Sequence, residues 1–373
     1  MSQRIVSSEQ NYRELDRWIA DQNCKNLFVV CDQSIQFLPQ VSAKLDEIRN
    51  NGVSITRFSD FQPNPLYESV VEGVLQFRHD SCDALMAIGG GSAMDVAKCI
   101  KLYCNMPGDG SAGSFLKQKP VPNPIPFIAM PTTAGTGSEA TRYAVIYYDD
   151  AKQSITSDSL IPGTVLLDPG VLKTLPAYQK KATMCDALCH AMESFWSVNS
   201  TDESRGYSRE ALQGVLSNME GYLNNDAVGN KGMMLAANAA GKAINITQTT
   251  AGHAMCYKLT SLYRCAHGHA AMLCDRVLFP WMLEHTDLCI DPRGRDHLCG
   301  VFQEIAEAMG CENPGQAARK FQVLFDRLEL PVPQAAPEDY AILSSSVNPV
   351  RLKNHPIRLD EKTIDELYHQ ILR

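Results

Sequence analysis

Four short apolar runs alternate with helical stretches in the first third of the chain, and few folds accept that alternation. The runs are LFVVC (Leu27–Cys31), VSITRF (Val53–Phe58), ALMAI (Ala84–Ile88) and PFIAM (Pro126–Met130). Between them the pattern predicts helices over Ser34–Asn50, from about Leu66 to His79, and from near Ser92. Strands separated by helices pair in parallel, because each helix carries the chain back to the same end of the sheet. A sheet covered on both faces buries both sides of its strands, which accounts for unbroken apolar runs. Near Leu166–Pro176 the texture changes, and LLDPGVLKTLP carries the Pro and Gly of a boundary. Beyond it helical periodicity continues almost to Arg373 with no convincing strand. The expected architecture is an α/β domain with a parallel sheet over residues 1–170 and an all-α domain over residues 171–373.

Charge and cysteine usage narrow the function classes. A formal net charge of −8 argues against a nucleic-acid partner or an anionic membrane surface, so an anionic ligand needs a local cluster of cations. The 13 cysteines form no regular framework and no CxxC pair, as expected of reduced thiols in a cytoplasmic protein. The opening MSQRIVSSEQNYREL lacks the apolar core of a signal peptide. No apolar run approaches the ~20 residues of a membrane span.

Two loops predict a dinucleotide site. In IGGGSAMDVAK (Ile88–Lys98), Gly89, Gly90 and Gly91 follow a strand and precede a helix. Glycines allow close backbone approach, and free N–H groups at a helix start attract a phosphate. Ser92 is expected to cap that helix, with Asp95 three residues on. The pattern is not GxGxxG, so a tight strand-to-helix turn is the plain alternative. PTTAGTGSEAT (Pro131–Thr141) follows the next strand and sets Thr132, Thr133, Thr136 and Ser138 around two glycines, a composition suited to a ribose or pyrophosphate. Asp32 ends the first strand, where a carboxylate accepts hydrogen bonds from an adenosine ribose and repels a 2′-phosphate. A capping or solvated Asp is the alternative there.

Three of the nine histidines lie within AGHAMCYKLTSLYRCAHGH (Ala251–His269). In ATMCDALCHAMES (Ala182–Ser194), Asp186 and His190 are four residues apart on one helical face, and Glu193 returns to it. A carboxylate and an imidazole at that spacing make half a site for a divalent metal. His253 and His267, fourteen residues apart, would lie roughly 21 Å apart in one straight helix. They share an ion only if the chain folds back around Leu262–Ala266. His267 and His269 are two apart, so only one of them points at that ion if a helix starts there.

Together these motifs resemble the iron-dependent, or group III, alcohol dehydrogenases, whose fold is shared with dehydroquinate synthase and glycerol dehydrogenase. The resemblance runs from about Leu27 to at least Pro280, on GGGSAMDVAK, PTTAGTGSEAT, LIPGTVLLDP, DALCHAMES and the HGHA segment. It implies that Asp186, His190, His253 and His267 bind one catalytic metal, Fe²⁺ or Zn²⁺, and that the two glycine loops hold NAD(H), with NADP(H) left open. It implies reduction of a small aldehyde to a primary alcohol, with the metal as Lewis acid, and a homodimer. His269 falls outside the ligand set and is carried, with Tyr257, as a candidate catalytic residue.

Two departures from the family pattern matter. Tyr257 stands where many members carry a second histidine, four residues after the third ligand. A tyrosine hydroxyl or a water replaces that histidine's proton relay, or Tyr257 only shapes the pocket. The chain also opens without the usual hairpin. Within the family, Ala243–Tyr263 looks most like the phosphonoacetaldehyde reductase (2-hydroxyethylphosphonate dehydrogenase) branch. Asn245, Gln248, Thr249 and Thr250 are polar groups for a phosphonate, and Arg142 and Lys258 are its candidate cations. The alternatives are a reductase of small neutral aldehydes or diols and a dehydroquinate synthase-like lyase. A metal set of one Asp and three His disfavours the lyase. A non-catalytic nucleotide-binding module would leave the four matched ligands without a purpose.

Overall fold

Three of the apolar runs become inner strands of a six-stranded sheet, and VSITRF becomes an edge strand. The computed structural model describes residues 3–8, 11–149 and 151–372. Strands β1 (Arg4–Ser7), β2 (Asn26–Cys31), β3 (Ser54–Phe58), β4 (Ala84–Gly89) and β5 (Phe127–Pro131) are followed by a hairpin, β6 (Tyr143–Tyr148) and β7 (Ala151–Thr156), and by β8 (Thr164–Leu167). The sheet order is β1-β8-β5-β4-β2-β3, and every pairing in it is parallel. Leu27–Cys31 and Ala84–Ile88 are buried along their whole length, as central parallel strands must be. Helices α1 (Arg13–Asp21), α2 (Pro39–Asn50), α3 (Tyr67–His79) and α4 (Gly91–Tyr103) complete this unit.

Several sequence expectations need correction. The helix expected over Ser34–Asn50 is broken into a 3₁₀ turn, Gln33–Phe37, and α2. Pro39 disfavours helix in the residue before it but suits a first helical turn, so α2 starts there. Ser92 does not cap α4. The helix begins at Gly91 with Gly90 in the capping position, so Ser92 already lies inside the first turn. The boundary segment around Leu166 contains a strand, β8, which pairs with both β1 and β5.

The chain separates into two compact units. One comprises residues 1–133 and 138–175, and the other residues 134–137 and 176–373. The second unit is helical. It contains α5 (Ala177–Trp196), α6 (Asp202–Leu223), α7 (Ala227–Thr247), α8 (Ala251–Tyr263), α9 (His267–Glu284), α10 (Arg295–Ala308), α11 (Pro314–Leu328), α12 (Pro337–Ser346), the single turn α13 (Pro349–Leu352) and α14 (Glu361–Ile371). α5 packs against α6, α7 and α9, and the stretch Ala182–Trp196 is buried on almost every face. Among the described residues, no helix is long and apolar enough to cross a membrane.

Candidate metal centre

The site begins with one buried helix. Asp186 and His190 sit a turn apart on α5, 2% and 5% exposed, with His190 Nε2 3.9 Å from Asp186 Oδ1. The chain then folds back between His253 and His267. α8 ends at Tyr263, Arg264 takes a left-handed backbone (φ 54°), and α9 starts at His267. Gly268 lets α9 approach α5, and Gly252 lets α8 approach α9. A Cβ on Gly268 would lie 2.1 Å from the Ala182 carbonyl oxygen and 2.5 Å from Asp186 Cβ, and one on Gly252 would lie 1.9 Å from Asp275 Oδ1.

The result is convergence. Asp186, His253 and His267 each offer a ligand atom within 4.8 Å of the others. The His190 and His253 rings stack with centroids 4.5 Å apart, and His267 lies 5.3 Å from His253 at 65°. His253 Nε2 is 3.4 Å from Asp186 Oδ1, long for a charged hydrogen bond. Two donors of one tetrahedral ion, each at about 2.1 Å, lie about 3.4 Å apart. The donor set therefore fits a single borderline divalent ion.

Glu193 completes the arrangement from behind. It accepts hydrogen bonds from the Thr250 backbone N–H, from Thr250 Oγ1 (2.7 Å) and from the His253 backbone N–H (3.0 Å), and it contacts His253 Nδ1. A carboxylate on Nδ1 fixes the ring so that Nε2 faces Asp186. Burial pulls His253 down, but the Glu193 and Asp186 carboxylates outweigh it and push it up to about 10. Burial works to raise Glu193, yet His253 and Thr250 bring it down to about 2. His190 is lowered to about 4 by burial, which Asp186 only partly opposes.

Other site residues are distributed as follows. Tyr257 lies one turn beyond His253, its ring stacked on His267 at 5.4 Å and 25°. Burial holds its phenol above the ordinary range. His269 points elsewhere. Its Nδ1 is 3.1 Å from Tyr178 Oη, and its ring packs near Phe325. Gln248 Oε1 accepts a hydrogen bond from Asn354 Nδ2 at 2.8 Å. Asn245 is half-buried on α7, and Lys258 is half-buried on α8. Arg142 belongs to the α/β unit, where it reaches Asp158 (3.4 Å) and Tyr143 (3.3 Å). Thr250, counted from the sequence among the phosphonate contacts, is buried and holds Glu193 instead.

In the α/β unit the two glycine loops do meet. The Thr132 N–H donates to the Gly89 carbonyl at 3.0 Å, and a Cβ on Gly90 would lie 3.3 Å from Thr133 Cγ2. Asp32 caps the 3₁₀ turn through Ser34 (2.8 Å), with its other oxygen beside Gly89. Gly91 opens α4, with Ser92 next to it. Asp95 and Ser138 turn inward: Asp95 accepts from Ser138 Oγ (3.1 Å) and the Val145 N–H (3.2 Å). Thr136 belongs to the helical unit, in a loop whose Gly135 sits against Thr183.

Sequence reasoning placed Glu193 on the metal face without giving it a role, and passed over Asp275 and Arg351. Glu193 was visible on the Asp186 face, but its partners Thr250 and His253 lie about sixty residues away. Asp275 is fully buried behind Glu193, and among the described residues neither of its oxygens has a hydrogen-bond partner. Burial and the Glu193 carboxylate push it well up. Arg351 donates from Nη1 to Tyr257 Oη at 3.0 Å, across a separation no local pattern signals.

Comparison with known proteins identifies the family. The family model "Iron-containing alcohol dehydrogenase" matches residues 2–169, and "Fe-containing alcohol dehydrogenase family, C-terminal" matches residues 180–372. The chain belongs to the iron-containing alcohol dehydrogenase family. Among relatives of this alcohol dehydrogenase, phosphonoacetaldehyde reductase of Streptomyces viridochromogenes is 30% identical over 80% of the chain and 79% of its own length. The 1,3-propanediol dehydrogenase of Klebsiella pneumoniae is 29% identical, over 83% and 79% respectively. Aldehyde-alcohol dehydrogenase 2 of Entamoeba histolytica is 29% identical over 82% of the chain, which spans only 37% of that longer protein. Sulfoacetaldehyde reductase from Bifidobacterium kashiwanohense, solved in complex with NAD⁺, superposes with a TM-score of 0.87 at 24% identity, covering 99% of this chain and 97% of that one. At that identity the likeness establishes the fold.

Proposed function

We propose that this alcohol dehydrogenase reduces phosphonoacetaldehyde to 2-hydroxyethylphosphonate with NADH. The observation that carries the dehydrogenase part is the convergence of Asp186, His253 and His267, with His190 stacked on His253. These four side chains are the proposed ligands of an Fe²⁺ or Zn²⁺ ion. When bound, the ion supplies Lewis acidity toward a carbonyl oxygen, and nicotinamide supplies the hydride.

The residues prepare the site. Glu193 keeps the proton of His253 on Nδ1, leaving Nε2 for the ion. Tyr257 retains the proton on Oη beside His267, in the place of the histidine common in the family, and is the proposed proton donor to the alkoxide. The two glycine loops, with Gly89, Gly90, Gly91, Thr132 and Thr133, are the proposed cofactor cradle, and Asp32 is the group that favours NADH.

The phosphonate part is supported by the likeness to phosphonoacetaldehyde reductase at 30% identity. A dianion on a chain of net charge −8 needs fixed cations, for which the sequence offers Arg142 and Lys258. Reduction of small neutral aldehydes is the alternative. It is favoured by the internal use of Thr250 and Gln248, which are held by Glu193 and Asn354.

The test is a panel of phosphonoacetaldehyde, lactaldehyde and propanal with NADH and NADPH, on metal-reconstituted enzyme. The expected result is the highest kcat/KM for phosphonoacetaldehyde with NADH. Better turnover of propanal or lactaldehyde would replace the phosphonate reading with the neutral one. A clear NADPH preference would remove Asp32 from the ribose.

A further inference from the structure

Arg351 occupies a position that the catalytic residues alone do not explain. Its Nη1 donates to Tyr257 Oη at 3.0 Å, and its Cζ lies 4.7 Å from the Tyr257 ring centroid. That same ring stacks on His267. The guanidinium and a proposed metal ligand therefore touch one tyrosine. Among the described residues, no carboxylate pairs with Arg351. Arg293 pairs with Asp291 at 2.7 Å and Arg142 with Asp158 at 3.4 Å, while Arg78 and Arg276 spend their donors on backbone carbonyls. Arg351 does neither through Nη1, which meets a side-chain hydroxyl. A half-buried cation whose acceptor is a neutral phenol has donors to spare, since a guanidinium carries five N–H groups in a fixed fork.

The turn carrying Arg351 is capped at its start and anchored to other segments at its end. Asn348 Oδ1 caps α13 through the Val350 N–H at 2.9 Å. Asn354 Nδ2 donates to Gln248 Oε1 (2.8 Å) and to the Thr249 carbonyl (3.2 Å), and the Asn354 carbonyl accepts from the Val198 N–H at 3.0 Å. His355 follows and is fully buried. The turn is thereby tied to the segment that leads into His253 and to the residues just after α5. A guanidinium held this way is pre-organised rather than free to drift.

We infer that Arg351 is the specificity residue of the site, and that it receives a tetrahedral oxyanion, phosphonate or sulfonate, carried on the carbon next to the reacting carbonyl. The inference rests on the reading of Asp186, His190, His253 and His267 as the metal ligands that hold that carbonyl. A guanidinium makes two parallel hydrogen bonds to such a group, which no neutral aldehyde offers in return. Arg351 thus competes with Arg142 for the role of the cation that selects the substrate.

The experiment compares wild type, Arg351→Met, Arg351→Lys and Arg142→Ala as metal-loaded, NADH-bound enzymes of verified Tm. One measurement is the ratio of kcat/KM for phosphonoacetaldehyde to that for propanal, repeated with sulfoacetaldehyde. The ratio cancels any loss through Tyr257 that both substrates share. The second is calorimetric binding of ethylphosphonate and of ethanesulfonate, which needs no turnover. Arg351→Met is expected to lower the ratio by roughly 30- to 1,000-fold and to weaken binding of the matching anion comparably, with Arg351→Lys intermediate. Whichever of the two anions loses more names the group.

An unchanged ratio in Arg351→Met overturns the inference, as does a ratio that collapses in Arg142→Ala instead. So does a wild type that binds neither anion. A wild type that turns over propanal best, yet binds ethylphosphonate in an Arg351-dependent way, leaves the inference standing and sinks the phosphonoacetaldehyde reading alone.

Discussion

Each unit buries a cluster of ionisable side chains, and the two clusters differ in how their charges are met. In the α/β unit, Lys98 is fully buried and its Nζ donates to the Ser138 carbonyl (2.6 Å), Ser138 Oγ (3.1 Å), Thr141 Oγ1 (3.0 Å) and the Tyr143 carbonyl (2.7 Å). Asp95 beside it accepts from Ser138 and Val145. The charges have opposite signs, and donors meet acceptors. In the helical unit, Asp186 Oδ1 lies 3.4 Å from His253 Nε2 and 3.9 Å from His190 Nε2, and His267 offers a ligand atom within 4.8 Å of Asp186 and His253. The charge facing Asp186 is a titratable imidazole proton rather than a fixed ammonium. A closed cluster stabilises a fold, whereas an open one of nitrogen and oxygen donors suits a metal ion. Burial alone does not tell them apart.

Removing one donor from each cluster tests this contrast. The largest effect is expected at the open cluster. His267→Ala should lower kcat/KM more than about a thousandfold and abolish stoichiometric metal by elemental analysis, while His269→Ala keeps the ion. Metal lost in the second variant and kept in the first would reverse the ligand assignment.

Lys98→Met should do the opposite: retain the metal but destabilise the α/β unit by about 3–5 kcal/mol, because Asp95 and four oxygens lose their buried cation. Denaturant unfolding measures this, and a stability within error of wild type would show that the closed cluster contributes nothing.

A smaller effect is expected one bond behind the ion. Glu193→Gln should weaken metal affinity about 10- to 100-fold in chelator competition, since the amide holds the His253 ring less firmly. No change would leave Glu193 as packing only.

The last effect concerns pH. The carboxylates push His253 up to about 10, so the ion-free site carries a proton at neutral pH that the ion must displace. Apparent metal affinity should therefore rise with pH between about 6 and 9, approaching tenfold per pH unit for one released proton. A flat profile would mean that His253 is already neutral before the ion arrives.

The parts legible beforehand share a physical basis. β2, β4 and β5 were readable because central parallel strands are apolar on both faces. Asp186 and His190 were readable because four residues make one helical turn. The break between His253 and His267 followed from helix length once the two were taken to share an ion. What escaped was edge structure and long-range pairing. β1 and β8 are four residues each, and β1 pairs with β8 across about 160 residues of sequence. Ser92 had the residue type of a cap but not the position, because the helix accepted Gly91 as its first residue.

Local order in the amino-acid sequence therefore determined the two-part architecture, the glycine turns, the Asp–His pair on α5 and the need for a reversal before His267. Tertiary structure decided which histidine of the HGH segment faces Asp186, because Gly268 must fit against Ala182 and Asp186. It also decided that Glu193 backs His253, and that Arg351 reaches Tyr257 from 94 residues further along the chain. The physical reason is one of range. Periodicity and turn chemistry act over a few residues and are written in order along the chain, while a site is assembled by packing among helices whose contacts no neighbouring residue encodes.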